Sequence, residues 1–297
     1  MIAPSSHIVT LVASLEAGAL KAQDVDRAMA YAEGRNLVWL EMGRAAEFHS
    51  PTAPDRAAIE AVMVHKAVDI FVTRPRGRRK AVLVADMDST IVTVETLDEL
   101  AAFAGLKEKI AGITARAMNG ELDFAAALRE RVGLLKGLKV SALEETWKAI
   151  QYCPGARTLV ATMNAFGATT ALVSGGFSFF TARVARELGF AINRANTLTD
   201  NGAVLTGEVG EPILDKTAKL AALEEVARER GVKLSACLSV GDGANDLPML
   251  KAAGLGIAYH AKPIVAAEVV NKVVHTDLTS LLFAQGYPAS LFKGVEA

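Results

Sequence analysis

The chain is expected to fold as an α/β protein built on a Rossmann-type parallel sheet, with a helical insertion and a small N-terminal α/β module. Three observations predict this. Ala81 to Ala85 form a short apolar run that leads straight into Asp86-Met87-Asp88-Ser89-Thr90. Such a run reads as a fully buried strand of a parallel sheet, and here it ends in two carboxylates. Beyond Cys153-Pro154-Gly155, helical patterns alternate with further short apolar runs, which is the rhythm of βαβ units. Between these regions, Ile91 to Gln151 lacks strong strand signals. A chain of 297 residues is long enough for roughly two domains of ~100–200 residues each.

Residues 1–73 read as the small α/β module. His7–Ala13, Leu37–Met42 and Val68–Thr73 are strand candidates. Val25–Tyr31 has a helical pattern closed by Glu33-Gly34, and Asp55 can cap a helix bearing Ile59, Val62 and Met63 on one face. No motif here carries chemistry, so a docking module, or a homodimer formed through it, is the expected role. Arg74–Lys80 (RPRGRRK) reads as a basic Pro/Gly hinge and a solvated linker, with the domain boundary there.

Residues 81–297 make the second domain. Helical patterns at Glu95–Ala104, Lys107–Ala117, Asp123–Leu135 and Ala142–Ile150 follow its first strand, punctuated by Gly105, Gly120 and Gly137. Four helices inserted there, at about 92–151, predict a lid over the strand ends. Then come a helix at Ala156–Phe166, a strand at Thr169–Val173 entering Ser174-Gly175-Gly176, and a helix at Phe180–Leu188. Ala191–Val209 reads as a hairpin excursion turning at Asn201-Gly202. Lys216–Arg230 carries an apolar stripe of Leu220, Leu223 and Val226 and reads as helix. Ala236–Val240 is a strand ending in Gly241-Asp242-Gly243-Ala244-Asn245-Asp246, and Leu255–Ala258 and Lys272–Val274 are the last strands.

Composition narrows the function classes. The formal net charge is −1, so nothing electrostatic calls for nucleic acid or a membrane surface. Cys153 and Cys237 lack metal-ligand spacing and read as reduced thiols of a cytoplasmic protein. The N-terminus has no basic flank and makes a poor signal peptide. No uncharged apolar run reaches the ~18 residues of a membrane span.

Four strand-end sites stand in order: Asp86/Asp88, Ser174-Gly175, a lysine at 216 or 219, and Asp242 to Asp246. Each alone is a common turn or surface feature. Together, at the ends of strands in one parallel sheet where ligands bind, they suit phosphoryl transfer. Asp86 and Asp242 are hard oxygen ligands for Mg²⁺. Asp86 can attack phosphorus to form an aspartyl-phosphate. The Ser174 hydroxyl, the Gly175 N–H and a lysine ammonium can hold the phosphate oxygens, and Gly175 lets backbone approach closely. Asp88 can protonate an alkoxide leaving group and later take a proton from water.

The sequences DMDST, SGG, the lysine and GDGANDLPM resemble the four motifs of the haloacid dehalogenase superfamily, in its phosphoserine phosphatase branch. The likeness covers about Ala81 to Thr276. It implies a Mg²⁺-dependent hydrolase of O-phosphoserine, acting at the last step of serine synthesis. The second acid, Asp88, is what the superfamily's dehalogenases lack, and the Lys-Thr-Gly-Thr of the ion pumps is absent here. The resemblance implies that Glu95 meets the substrate ammonium and Arg131 its carboxylate, with Arg129 a near competitor. Met118 and Phe124 would line the pocket. The Ala218-Lys219 pair matches the family's entry into a helix, which selects Lys219 over Lys216. Asn245 would bond phosphate or substrate, and Asp88 would join Asp86 and Asp242 at the metal. Asp246 would bind through the metal's water or orient Lys219. The branch often carries a βαββαβ regulatory module, ACT-like in type, of which about three strands and two helices are legible here. The nearest rival is a related small-metabolite phosphatase, or a phosphotransferase using an alcohol such as homoserine. A non-catalytic amino-acid sensor and a nucleic-acid binder acting through Arg74–Lys80 are more distant.

Overall fold

The computed structural model describes residues 7–63, 67–118, 122–215 and 217–295, apart from the side chains of residues 115, 117 and 118. Lys216 and the side chain of Met118 therefore lie outside the described residues.

Strand β1 (His7–Ala13) is a β-branched, aliphatic run buried along its whole length. It opens a βαββαβ unit: α1 (Ala22–Tyr31), β2 (Arg35–Glu41), β3 (Ala45–Ser50), α2 (Arg56–Val62) and β4 (Val68–Thr73). The sheet order is β2-β3-β1-β4, antiparallel throughout. The sequence reading finds three of these strands and misses β3. Its residues, Ala45-Ala46-Glu47-Phe48-His49-Ser50, are poor in the β-branched types that favour a pleated backbone. Pairing on both edges holds it, together with Phe48, which is buried in one cluster with Val25 of α1 and Ile59 of α2.

The other face of this sheet packs on the rest of the molecule. Val12 and Phe71 share a core with Leu282 and Phe283. Asp69 of β4, 2% exposed, accepts the backbone N–H groups of Val274, His275 and Thr276 and the Thr276 hydroxyl. The basic stretch Arg74–Lys80 is solvated at Arg74, Arg76 and Gly77, but its end is tied to the two sheets. Arg78 makes a two-pronged pair with Glu47 at 3.0 and 2.6 Å, Arg79 lies over the Tyr287 ring, and Lys80 Nζ donates to the Ser235 carbonyl. An arginine fork matches a carboxylate and stacks on aromatic faces, so charged residues here serve as docking groups.

The main sheet begins with β5 (Val82–Ala85), all four residues buried. An insertion of four helices follows, α3 (Thr96–Phe103), α4 (Lys107–Met118), α5 (Phe124–Gly133) and α6 (Ser141–Ala149). Its two connections to the sheet are zipped together. Val92 bridges Tyr152, Thr93 N–H donates to Gln151 and Cys153 N–H to Ile91. The chain continues through α7 (Ala156–Ala165), β6 (Thr169–Phe177), α8 (Ser178–Leu188) and β7 (Ile192–Asn196). The expected hairpin is β8 (Leu198–Asp200) with β9 (Leu205–Val209), while β7 before it joins the main sheet. The hairpin packs on the insertion, where Gly137 N–H and Leu205 N–H bond across to Leu205 and Leu138 carbonyls. The last stretch is α9 (Ala218–Glu229), β10 (Cys237–Gly241), α10 (Leu247–Ala252), β11 (Leu255–Tyr259), α11 (Pro263–Glu268), β12 (Asn271–Val273) and α12 (Ser280–Ala284).

The sheet has six strands in the order β12-β11-β10-β5-β6-β7, every pair parallel. From β5 the chain steps outward one way through β6 and β7, then crosses to β10 and runs the other way. The order therefore reverses between β5 and β10, which is where open α/β sheets leave a crevice beyond the strand ends. Both faces of the sheet are covered. Val82, Val84, Ala171 and Val173 meet Leu223 and Val226 of α9, whereas Leu83, Ala85 and Leu172 meet Leu159 of α7 and Phe180 of α8. Double-sided burial explains why β5 reads as an unbroken apolar run. Among the described residues, no helix is long and apolar enough to cross a membrane.

Candidate active site

At the carboxyl ends of β5, β6 and β10, beneath the helical insertion, lies a cavity of about 880 Å³. Its lining includes Asp86, Asp88, Glu95, Phe124, Arg131, Ser174, Gly175, Asp242 and Asn245. These nine residues, far apart in sequence, converge on one site.

Asp86 follows directly after β5, and its N–H still pairs with the Val240 carbonyl. Its Oδ1 accepts from Met87 N–H at 2.8 Å and lies 2.7 Å from Lys219 Nζ. Lys219, in the first turn of α9, also reaches Asp246 Oδ1 at 2.5 Å. Burial disfavours the Lys219 ammonium, but Asp246 and Asp86 outweigh it and hold its pKa above the usual lysine range. Burial pushes the Asp86 carboxyl well up, the charge of Asp246 adds to this, and Lys219 opposes it. Asp246 has no exposed surface; its Oδ2 accepts from the N–H groups of Asp242 and Gly243 at 3.1 and 2.9 Å. The turn requires glycine at 241, because a Cβ there would sit 2.4 Å from Asp246 Cγ.

Asp242 Oδ1 accepts from the Thr90 hydroxyl at 3.3 Å, and its carbonyl accepts from Lys262 N–H at 3.2 Å. Burial, with Asp246 and Glu95 nearby, pushes the Asp242 carboxyl up to about 6. Asp86, Asp242 and Asp246 bring one oxygen each within 4.8 Å of one another. Three carboxylates against Lys219, with Lys262 at the cavity lining, leave net negative charge in a buried site. A divalent cation fits that deficit.

Asp88 takes a different direction. The chain turns after Asp86, with Ser89 held at φ 55 and its hydroxyl on Glu95 at 2.7 Å. Asp88 Oδ1 accepts from Thr96 N–H at 2.8 Å, at the N-terminus of α3, where unpaired backbone donors favour a carboxylate. Its Oδ2 accepts from the Ser174 hydroxyl at 2.9 Å. Burial and the Glu95 charge raise its pKa, partly offset by the Thr96 N–H. Both carboxylate oxygens are thus committed, and the carboxylate cluster contains Asp246 where the sequence reading has Asp88. Ser174 likewise spends its hydroxyl on Asp88 and accepts from Gly176 N–H. Gly176 is a site residue the sequence reading passes over: a Cβ there would lie 2.9 Å from Asp88 Oδ2.

Also in the lining, Glu95 precedes the first residue of α3 and Phe124 begins α5, where a Cβ on Gly175 would be 3.2 Å from the Phe124 ring. Arg131 lines the cavity, its Nε bonded to the Ala127 carbonyl and Nη1 to the Thr114 hydroxyl. Burial lowers its pKa, while Asp98 and Glu95 pull it back. Arg129, the competitor, is an exposed pair with Glu211 outside the cavity lining. Two further residues escaped the sequence reading. Lys262 lines the cavity from the β11–α11 turn, and buried Asn196 at the end of β7 donates to the Gly175 carbonyl and accepts from Leu214 N–H. A lysine just past one strand end and an asparagine closing another were the available signals.

Residues 83–251 match the family model of haloacid dehalogenase-like hydrolases. The chain is 45% identical over 203 residues to the phosphoserine phosphatase of Streptococcus thermophilus, covering 68% of this chain and 94% of that one. It is 41% identical over 219 residues to the Archaeoglobus fulgidus phosphoserine phosphatase, covering 74% of this chain but 64% of that longer relative. The crystal structure of a probable phosphoserine phosphatase from Vibrio cholerae superposes with a TM-score of 0.78 at 31% identity, covering 97% of this chain and 88% of that one. A strand-end Asp86–Lys219–Asp242 site under a helical insertion and the matched length agree: the chain belongs to the haloacid dehalogenase-like hydrolases, in their phosphoserine phosphatase branch.

Proposed function

We propose that this chain hydrolyses O-phosphoserine to serine and phosphate, with Asp86 as nucleophile, Asp88 as general acid and base, and Mg²⁺ as cofactor. The observation that carries this is the division of labour between the two acids. Asp86 is paired with a buried lysine, whereas Asp88 is held by neutral donors in the same cavity.

Asp86 Oδ1 is occupied by Lys219 and Met87 N–H, which presents Oδ2 to phosphorus. Attack forms an acyl phosphate on Asp86 and breaks the bond to the seryl oxygen. A serine alkoxide is a poor leaving group, and Asp88, whose pKa burial and the Glu95 charge raise, supplies the proton. Asp88 then takes a proton from the water that cleaves the acyl phosphate and restores Asp86. The Gly175 N–H and Asn245 at the cavity lining offer fixed donors to phosphate oxygens, with Lys219 behind Asp86. Asp86 and Asp242 would hold Mg²⁺, with Asp246 behind them because both its oxygens are already bonded. When bound, the ion neutralises the surplus charge that would otherwise repel phosphate. Arg131 would fork onto the substrate carboxylate, Glu95 would meet its ammonium, and Phe124 would wall the pocket. Such a hydrolase supplies serine at the end of its synthesis and works in the cytoplasm. The β2 edge of the N-terminal sheet, the last strand in its order, would serve a homodimer.

A phosphate-release screen over phosphomonoesters with Mg²⁺ tests this reading. Phosphoserine should be turned over far faster than sugar phosphates; a sugar phosphate at the top would overturn the substrate assignment. Arg131→Ala should raise KM for phosphoserine by about 10²-fold, the scale of a lost charge-assisted pair, and change kcat much less. An unchanged KM would move the carboxylate site elsewhere.

Metal binding should depend on pH. The folded-state pKa of Asp242 is raised to about 6, so its proton competes with the cation, and Mg²⁺ affinity should fall as pH drops through that value. The same shift means that metal-free protein is favoured at low pH and loses this stability as pH rises between about 4 and 6. Melting curves with and without Mg²⁺ across this range should diverge as pH increases. A constant gap would remove Asp242 from the site.

A further inference from the structure

We propose that the junction between the N-terminal sheet and the edge of the main sheet is a second binding site, for a small phosphate-bearing polyanion. The site is a recess of about 350 Å³, whose lining includes Thr73, Arg74, Arg76, Arg78, Lys80 and Ser235. It shares no residue with the catalytic cavity. It is also what the RPRGRRK stretch does beyond docking, a motif that the hydrolytic mechanism leaves unused.

Charge is the first observation. Four cationic side chains line the recess and no acidic one does, in a chain with 32 basic and 33 acidic residues. Arg78 is paired with Glu47, but Arg74 and Arg76 are exposed and have no ion pair among the described residues. Like charges gathered without counter-charges are unfavourable unless an anion joins them.

The second observation is unmet hydrogen bonding. The Thr73 hydroxyl and Arg78 Nε are buried and have no hydrogen-bond partner in the structure. A buried donor left unpaired costs about 1–3 kcal/mol, and ligand oxygens would satisfy both groups once the recess wall shifts to admit them. Arginine forks and a lysine ammonium are the donors that phosphate groups select.

Shape decides the class of ligand. A recess of about 350 Å³ takes a molecule with a few phosphate groups, whereas a nucleic-acid backbone needs an extended groove. Thr73 comes from β4 and Ser235 from the turn before β10, so a bound anion would also brace the two sheets against each other.

The test is titration calorimetry of the full chain with inorganic pyrophosphate in metal-free buffer, where the surplus carboxylates of the catalytic cavity repel anions. The wild type should bind one pyrophosphate per chain, more weakly as salt is added. Arg74→Ala/Arg76→Ala should bind at least about tenfold more weakly. Thr73→Val, which keeps the side-chain shape, should also weaken binding. Both variants should retain phosphoserine turnover with Mg²⁺, because neither touches the catalytic cavity. Equal affinity in wild type and double variant, absence of binding by the wild type, or binding of a DNA duplex in place of pyrophosphate would each overturn the proposal.

Discussion

Asp86→Asn should reduce phosphoserine turnover by at least about 10⁴-fold, the scale of losing a covalent nucleophile. An amide nitrogen cannot attack phosphorus as the carboxylate does, yet the side chain keeps its shape. The neighbourhood should survive the change, because Asn retains an oxygen for Met87 N–H and Lys219 keeps its bond to Asp246. The variant should therefore remain folded, while its melting temperature responds less to Mg²⁺ than that of the wild type, with one carboxylate gone from the cluster of three. Far-ultraviolet circular dichroism and a phosphate-release assay separate these effects. Appreciable residual turnover in a folded variant would remove Asp86 as nucleophile.

Asp88→Asn should give the second-largest loss, and its size should depend on the leaving group. General acid–base assistance contributes ~10²–10⁴-fold, and phosphoserine turnover should fall by that amount. With p-nitrophenyl phosphate the leaving group needs little proton help, so the loss in the first step should be much smaller. The substitution disturbs little else: Asn can still accept from Thr96 N–H, and Ser174 can turn its hydroxyl to accept from the amide. Because burial and Glu95 raise the Asp88 pKa, its acid form is lost as pH rises. The wild-type rate of the alkyl phosphate should therefore fall at higher pH, and that limb should vanish in the variant. Equal losses on both substrates would refute the proton role.

The part of this molecule legible in its sequence is the part set by local pattern. A doubly buried strand must be apolar throughout, so β5 and the acids behind it announce themselves. The four insertion helices show their 3.6-residue period and the glycines between them. What escaped depends on contacts distant in sequence. Strand β3 is an alanine-rich run that becomes a strand because two neighbours pair with it. Arg78 reads as a solvated charge until Glu47, 31 residues away, is placed opposite it. That Asp88 points to the opposite side from Asp86 is legible in the sequence, but the partners that hold it there are not. It is the turn at Ser89 and the N-terminus of α3 that draw Asp88 away from the carboxylate cluster. Gly176 and Asn196 belong to the same class, as their roles follow only from what lies across the strand end.

The central claim is that the carboxylate at position 86 is transiently phosphorylated. Quenching the Mg²⁺-loaded enzyme in acid during phosphoserine turnover, reducing it with borohydride and mapping its peptides by mass spectrometry tests this directly. Reduction of an acyl phosphate leaves an alcohol, and the account predicts that change on Asp86 alone. An unaltered Asp86, or a phosphoryl group found instead on Ser89 or Ser174, would contradict it.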